Sequence, residues 1–217
     1  MELNRTAGGP LPDGGSGPHG MLEIVLGREL SRPPPNTMFL LNCRFTRMMR
    51  LNMVLLDLCL SKRKENGIYI SVDHPHSYTH MALKKQNTPQ QGIIYVDAIS
   101  KLAGTMGEDS QVRFVTGGLT LPILDDLFSR AFLPEGSQMH FIRLEELGFI
   151  LFDNVNVAMQ YASPEKVKRL MAGLIDQVKK YTTLKLYLIL DPTSQPDIHR
   201  CLGAACDREI EIKDEWL

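Results

Sequence analysis

From residue 37 onward, short apolar runs alternate with longer stretches in which apolar side chains recur every three or four positions. The runs at 37–42 (TMFLLN), 67–73 (GIYISVD), 92–97 (GIIYVD), 148–153 (GFILFD) and 183–190 (TLKLYLIL) read as strands. Near-continuous apolarity is what a parallel strand covered on both faces requires. Residues 112–116 form a further short candidate, and 207–213 (DREIEIK) alternate as an edge strand does. Between these runs the pattern predicts helices over 46–61, 77–86 and 120–132, the last with Pro122 in its first turn. Residues 62–67 read as a charged turn, with Asn66-Gly67 as the stop signal. Ser163-Pro164-Glu165 opens another helix, with Ser163 as N-cap and Pro164 at the first helical position. Its stripe is Val167, Leu170, Met171, Leu174, Ile175 and Val178.

Strands alternating with helices at this spacing predict an α/β domain with a mostly parallel sheet, helices on both faces. The domain is expected over 36–217. Residues 1–35 read as a disordered Gly/Pro-rich tail and linker, because the first 20 offer little apolar area against their ordering entropy. Within that stretch, 21–30 fit either a short helix or a strand, broken by Arg32-Pro33-Pro34-Pro35; Met21 is a candidate natural start.

Charge and cysteine usage narrow the function classes. A formal net charge of -1 removes any global pull toward nucleic acid or anionic membrane. The basic flanks of the 163–180 helix lack interspersed aromatics and read as a solvated face. No apolar run reaches the ~18 residues of a membrane span, so a cytoplasmic location is expected by elimination. Cys43, Cys59, Cys201 and Cys206 form no C-x-x-C pair and read as free thiols.

In open parallel sheets ligands sit at the carboxyl ends of strands. The polar residues there are 42–49, Asp73-His74-Pro75-His76, Asp97, Asp153-Asn154 and Asp191. The succession of GIYISVD-H-P, GIIYVDAIS, GFILFDNVNVAMQY, LKLYLILDP and CLGAACDREIEI resembles a KaiC-like domain of the RecA superfamily across residues 36–213. Some uncharacterised archaeal proteins look the same. The resemblance implies a three-layer RecA-like sheet of the P-loop NTPase type. It also places G-x-x-x-x-G-K-[ST], the Walker A loop, after the first strand. There the backbone N–H groups cradle phosphate, the lysine neutralises charge and the hydroxyl holds Mg²⁺. Here that stretch is Asn42-Cys43-Arg44-Phe45-Thr46-Arg47-Met48-Met49, without either glycine, the lysine or the hydroxyl position. Phe45 and the two methionines are expected to fill or cover the space; Arg44 and Arg47 retain the capacity to pair with an anion. Asp153 matches the acid that ends the family's Walker B strand, which contacts Mg²⁺ through water, and competes with the plainer reading of an acid capping a strand. Asp73-His74 stands where KaiC-like enzymes carry a Glu-Glu pair, a departure that removes the expected activator of water.

Two function classes follow. The first is a non-catalytic, degenerate KaiC/RecA-like protein that acts as a regulatory or interaction domain. Its partner would be a protein, either another copy or a related ATPase, and it would need no cofactor. The second is a weak ATP- or Mg-ATP-responsive regulator using vestigial Arg44, Arg47, Asp73 and Asp153. A metal-dependent reading on Asp73, His74, His76 and His80 competes with an ordinary polar loop. His199, Cys201 and Cys206 give a weaker signal of the same kind. Neither G-x-S-x-G nor G-x-G-x-x-G occurs, so a nucleophile elbow and a Rossmann dinucleotide site have no support.

Overall fold

A computed structural model describes residues 20–31, 33–34, 36–100, 112–114, 146–180 and 183–216. Among these residues seven strands form one sheet: β1 (Met38–Asn42), β2 (Asn66–Ser71), β3 (Ile93–Asp97), β4 (Val112–Phe114), β5 (Leu147–Phe152), β6 (Lys185–Leu190) and β7 (Arg208–Glu211). Their order is β4-β3-β2-β5-β6-β1-β7, and every pairing is parallel. Parallel neighbours need crossovers, and the helices that make them cover both faces. That cover is why the inner strands are largely apolar, β1 and β6 being buried at every position.

Successive side chains on a strand point to opposite faces, so each strand feeds two cores. Met38, Leu40, Ile68, Ile70, Leu186 and Leu188 pack with the stripe of α5 (Pro164–Lys179) and with Ile198 and Leu202 of α6 (Pro196–Ala205). Phe39, Leu41, Tyr69, Tyr187 and Ile189 face the opposite way. They pack with Leu22 and Leu26 of α1 (Gly20–Glu29), Leu51 and Leu55 of α2 (Met48–Asp57) and Leu83 of α3 (His76–Lys85). The result is three layers with a core on each side of the sheet. The short helix α4 (Val155–Tyr161) follows β5 at the carboxyl end.

Several expectations need correction. Of the two readings for 21–30 the helix holds, over 20–29, and this stretch is not disordered tail, since Leu22, Leu26 and Leu30 are fully buried. Arg63 donates to the Leu30 carbonyl and Arg208 to the Glu29 carbonyl, at 2.8 Å for the latter. Cations on the last carbonyls of a helix satisfy acceptors that have no partner within it. The domain therefore includes α1 and does not begin at residue 36. The stop before β2 lies at Lys64 (φ 54), and Asn66 already belongs to the strand. The helix over 46–61 begins as a 3₁₀ turn, Phe45–Arg47, and ends in a π segment, Leu58–Lys62. Ser163 occupies the N-cap of α5 without a side-chain capping bond. The helix expected over 120–132 lies outside the described residues.

Candidate functional site at the carboxyl end of the sheet

The loop after β1 is set by an acid on the neighbouring strand. Cys43 N–H donates to the Leu190 carbonyl at 2.9 Å, carrying the β1–β6 pairing one residue past the strands. Phe45 N–H then donates to Asp191 Oδ2 at 3.0 Å. Arg47 N–H donates to the Arg44 carbonyl at 2.9 Å, which closes a tight turn leading into α2. The Asp191 carboxylate also accepts from Thr193 N–H at 3.0 Å and from the Thr193 hydroxyl at 2.5 Å. Burial pushes this carboxyl up, but the donors from Thr193, Phe45 and Ser194 prevail and hold it below the usual value. Asn156 locks the same acid's backbone, accepting from Asp191 N–H at 2.7 Å and donating to its carbonyl at 3.1 Å.

Of the three side chains expected to fill or cover that space, only Met48 is buried. Met49 is half-buried, and Phe45 turns outward with 45% of its surface exposed. Arg44 is exposed and pairs with Asp214 at 2.8 Å, in the turn Asp214–Trp216 that follows β7. Arg47 is exposed as well.

Asp153, two strands away on β5's end, is 0% exposed. Its Oδ1 accepts Val72 N–H at 2.9 Å and its Oδ2 the Tyr69 hydroxyl at 3.1 Å. The Ser71 hydroxyl lies 3.2 Å from Oδ2 and also reaches the His74 carbonyl. Desolvation raises this carboxyl to about 7; Val72 and Tyr69 oppose the shift, and neighbouring Asp73 adds to it. Asn52 of α2 donates to the Asp153 carbonyl at 3.4 Å, and its own Oδ1 is buried without a partner. Asp73 is partly exposed and accepts from Asn154 at 3.3 Å, with His74 Nδ1 3.2 Å away. Asp153 and Asp73 are thus neighbours, whereas Arg44 is oriented toward Asp214.

The histidines of 74–80 diverge. His76 turns to Asp97, with Nδ1 2.8 Å from Oδ2, and its ring packs against Phe114 at 5.4 Å. Asp97 further accepts Ile99 N–H, Ser100 N–H and the Ser100 hydroxyl. Burial raises that carboxyl, yet hydrogen bonds from His76 and Ser100 outweigh it and keep it low. His74 stacks near Tyr78, and His80 lies by Tyr95. Among the described residues no three histidine, cysteine or acidic side chains cluster closely enough to share a metal ion.

Asp191 was visible in the sequence as an acid ending a strand, like Asp153, but nothing local indicated that it would anchor the loop. Tyr69, Ser71 and Asn156 carried no signal, since their partners lie 84, 82 and 35 residues away.

No family model and no curated protein matches this chain in sequence. Its structure is similar to that of an uncharacterised protein, PH0321, of Pyrococcus horikoshii, solved in complex with an unknown peptide. The TM-score is 0.63 at 14% identity, over 89% of this chain and 84% of that one. The KaiC-like protein PH0186 of Pyrococcus horikoshii OT3 gives 0.53 at 9% identity, over 83% and 75%. The flagellar accessory protein FlaH of Methanocaldococcus jannaschii gives 0.51 at 14% identity, over 86% and 76%. The fold is therefore the RecA-like, KaiC-like one that the sequence resembles, and no described helix is long and apolar enough to cross a membrane.

Proposed function

We propose that this chain is a degenerate member of the KaiC/RecA-like fold that does not hydrolyse nucleotide and serves as a regulatory or protein-interaction domain in the cytoplasm. The observation that carries the reading is the loop after β1. A phosphate cradle needs several backbone N–H groups converging on an empty concavity, which glycine permits. Here Phe45 N–H is already taken by the Asp191 carboxylate, and the segment continues as a 3₁₀ turn without glycine. Asp153, the acid in the Mg²⁺ position, is sealed from solvent with both oxygens accepting internal hydrogen bonds. The residues present do not fit Mg-ATP.

The second reading, a weak nucleotide responder, draws on the exposure of Arg44 and Arg47 in that loop. A phosphate-release assay together with fluorescent ATP-analogue binding separates the two. The proposal expects neither turnover nor saturable binding. Binding that is weakened by substituting Arg44 and Arg47 together would establish the second reading in its place. PH0321, the structural neighbour with a bound peptide, makes a peptide or protein the natural class of partner to test.

A further inference from the structure

The residues that replace the phosphate loop do more than close it. Phe45 sits at the apex of the turn with 45% of its surface exposed, whereas Met48 packs inward. Its backbone is fixed from below, because its N–H is held by the Asp191 carboxylate, which Thr193 holds through two donors while Asn156 binds the Asp191 backbone. An aromatic side chain on a fixed backbone has few rotatable bonds to order when it meets a partner, and aromatic and arginine side chains dominate binding hot spots. Phe45 is flanked by exposed Arg44 and Arg47. Half-buried Met49 borders the same turn.

We infer that the turn Arg44–Arg47 is a docking surface for an acidic peptide segment of a partner protein, one that sets an apolar side chain on Phe45 and carboxylates on the flanking guanidiniums. The inference rests on the closed-site reading above and names the class of partner. The acids around the turn bear on its sign. Asp191 is buried beneath the turn with its carboxylate engaged by Phe45 N–H and Thr193, so its charge lowers the positive potential there without occupying a guanidinium. Glu211 is exposed at the end of β7 and Asp214 beyond it. Asp214 already places a carboxylate on Arg44 at 2.8 Å, which shows the geometry a partner's acid would adopt on that guanidinium. That pair is solvated on both sides, and an exposed pair is readily exchanged for another. Arg47 lies at the far end of the turn from this contact.

The test is fluorescence anisotropy with two labelled synthetic peptides, each with a central leucine, one flanked by aspartate and glutamate and the other by lysine. The acidic peptide is expected to bind saturably, and more weakly as salt is raised. Phe45→Ala and Arg47→Glu are each expected to lower its affinity by about tenfold, the scale of one hot-spot contact. Both positions are exposed, so unchanged thermal melting of the variants is the control for folding. No binding of the acidic peptide, equal binding of both peptides, or affinity unaltered in both variants overturns the inference. A parallel Mg-ATP titration keeps the two proposals apart. Saturable nucleotide binding would sink the closed-site reading itself. Absence of both ligands would leave that reading standing and remove only the acidic partner.

Discussion

Burial pushes the Asp153 carboxyl up to about 7, far from its ordinary range, while Val72 and Tyr69 pull the other way. A carboxyl with a raised native pKa binds more protons folded than unfolded, between its ordinary value and about 7. Its contribution to stability is therefore favourable at low pH and lost as pH rises through that window. Asp153→Asn keeps the shape and removes the charge. Relative to the parent, the variant should gain stability between pH 5 and pH 8 in urea denaturation, by about 1–3 kcal/mol; a pH-independent difference would contradict this. Asp191 behaves in the opposite sense. Its pKa is held low, so its contribution is present above the usual carboxylate range and lost as pH falls below it. Asp191→Ala leaves Phe45 N–H and the Thr193 hydroxyl without their acceptor. We expect a loss of about 1–3 kcal/mol at neutral pH, together with faster amide exchange at Phe45. Unchanged exchange there would mean the loop is held by something else. Both acids were legible in the sequence as strand-terminal residues; their roles were not, because those depend on donors distant along the chain.

The elements differ in how openly the sequence announces them. β2, β5 and β6 are apolar runs long enough to recognise, and α5 carries a six-residue stripe at helical spacing. α4 is seven residues long, and Val155, Asn156, Val157 and Ala158 are all buried, so no helical period shows. Its start is fixed by the Asn154 side chain, which accepts from Val157 N–H at 3.2 Å. α6 buries only Ile198 and Leu202, too thin a stripe to read. α1 was obscured by its two apolar sides: Leu22 and Leu26 face the core, while Met21 and Ile24 are exposed. Since Leu26 is fully buried, Leu26→Ala should cost about 2–5 kcal/mol in denaturant unfolding. A cost near zero would mean that α1 is not part of the cooperative fold. At Gly67 an added Cβ would meet the Phe149 ring at 2.3 Å. Gly67→Ala should destabilise by about 1–3 kcal/mol, and the cost should shrink when Phe149→Leu makes room. Additive penalties in that double-mutant cycle would count against direct contact.

At the scale of the whole molecule, the layers were legible and the strand order was not. Alternation in 207–213 marked an edge strand, and β7 is one. Nothing in the periodicity told that β1 would lie between β6 and β7, so that the loop after β1 meets the acid after β6. That adjacency decides the candidate site, because it supplies a carboxylate of the protein's own to a loop that in the resembling family holds the carboxylate's rival, phosphate. The absence of the glycines and lysine was visible in the sequence; the bond from Phe45 N–H to Asp191 required the pairing of distant strands.

Calorimetric titration of the purified protein with Mg-ATP into the millimolar range tests this account most directly. We predict no saturable heat and no rise in melting temperature, in the parent protein and in Asp153→Ala alike. Saturable binding that weakens in Asp153→Ala would contradict it, since the sealed acid would then be serving a nucleotide after all.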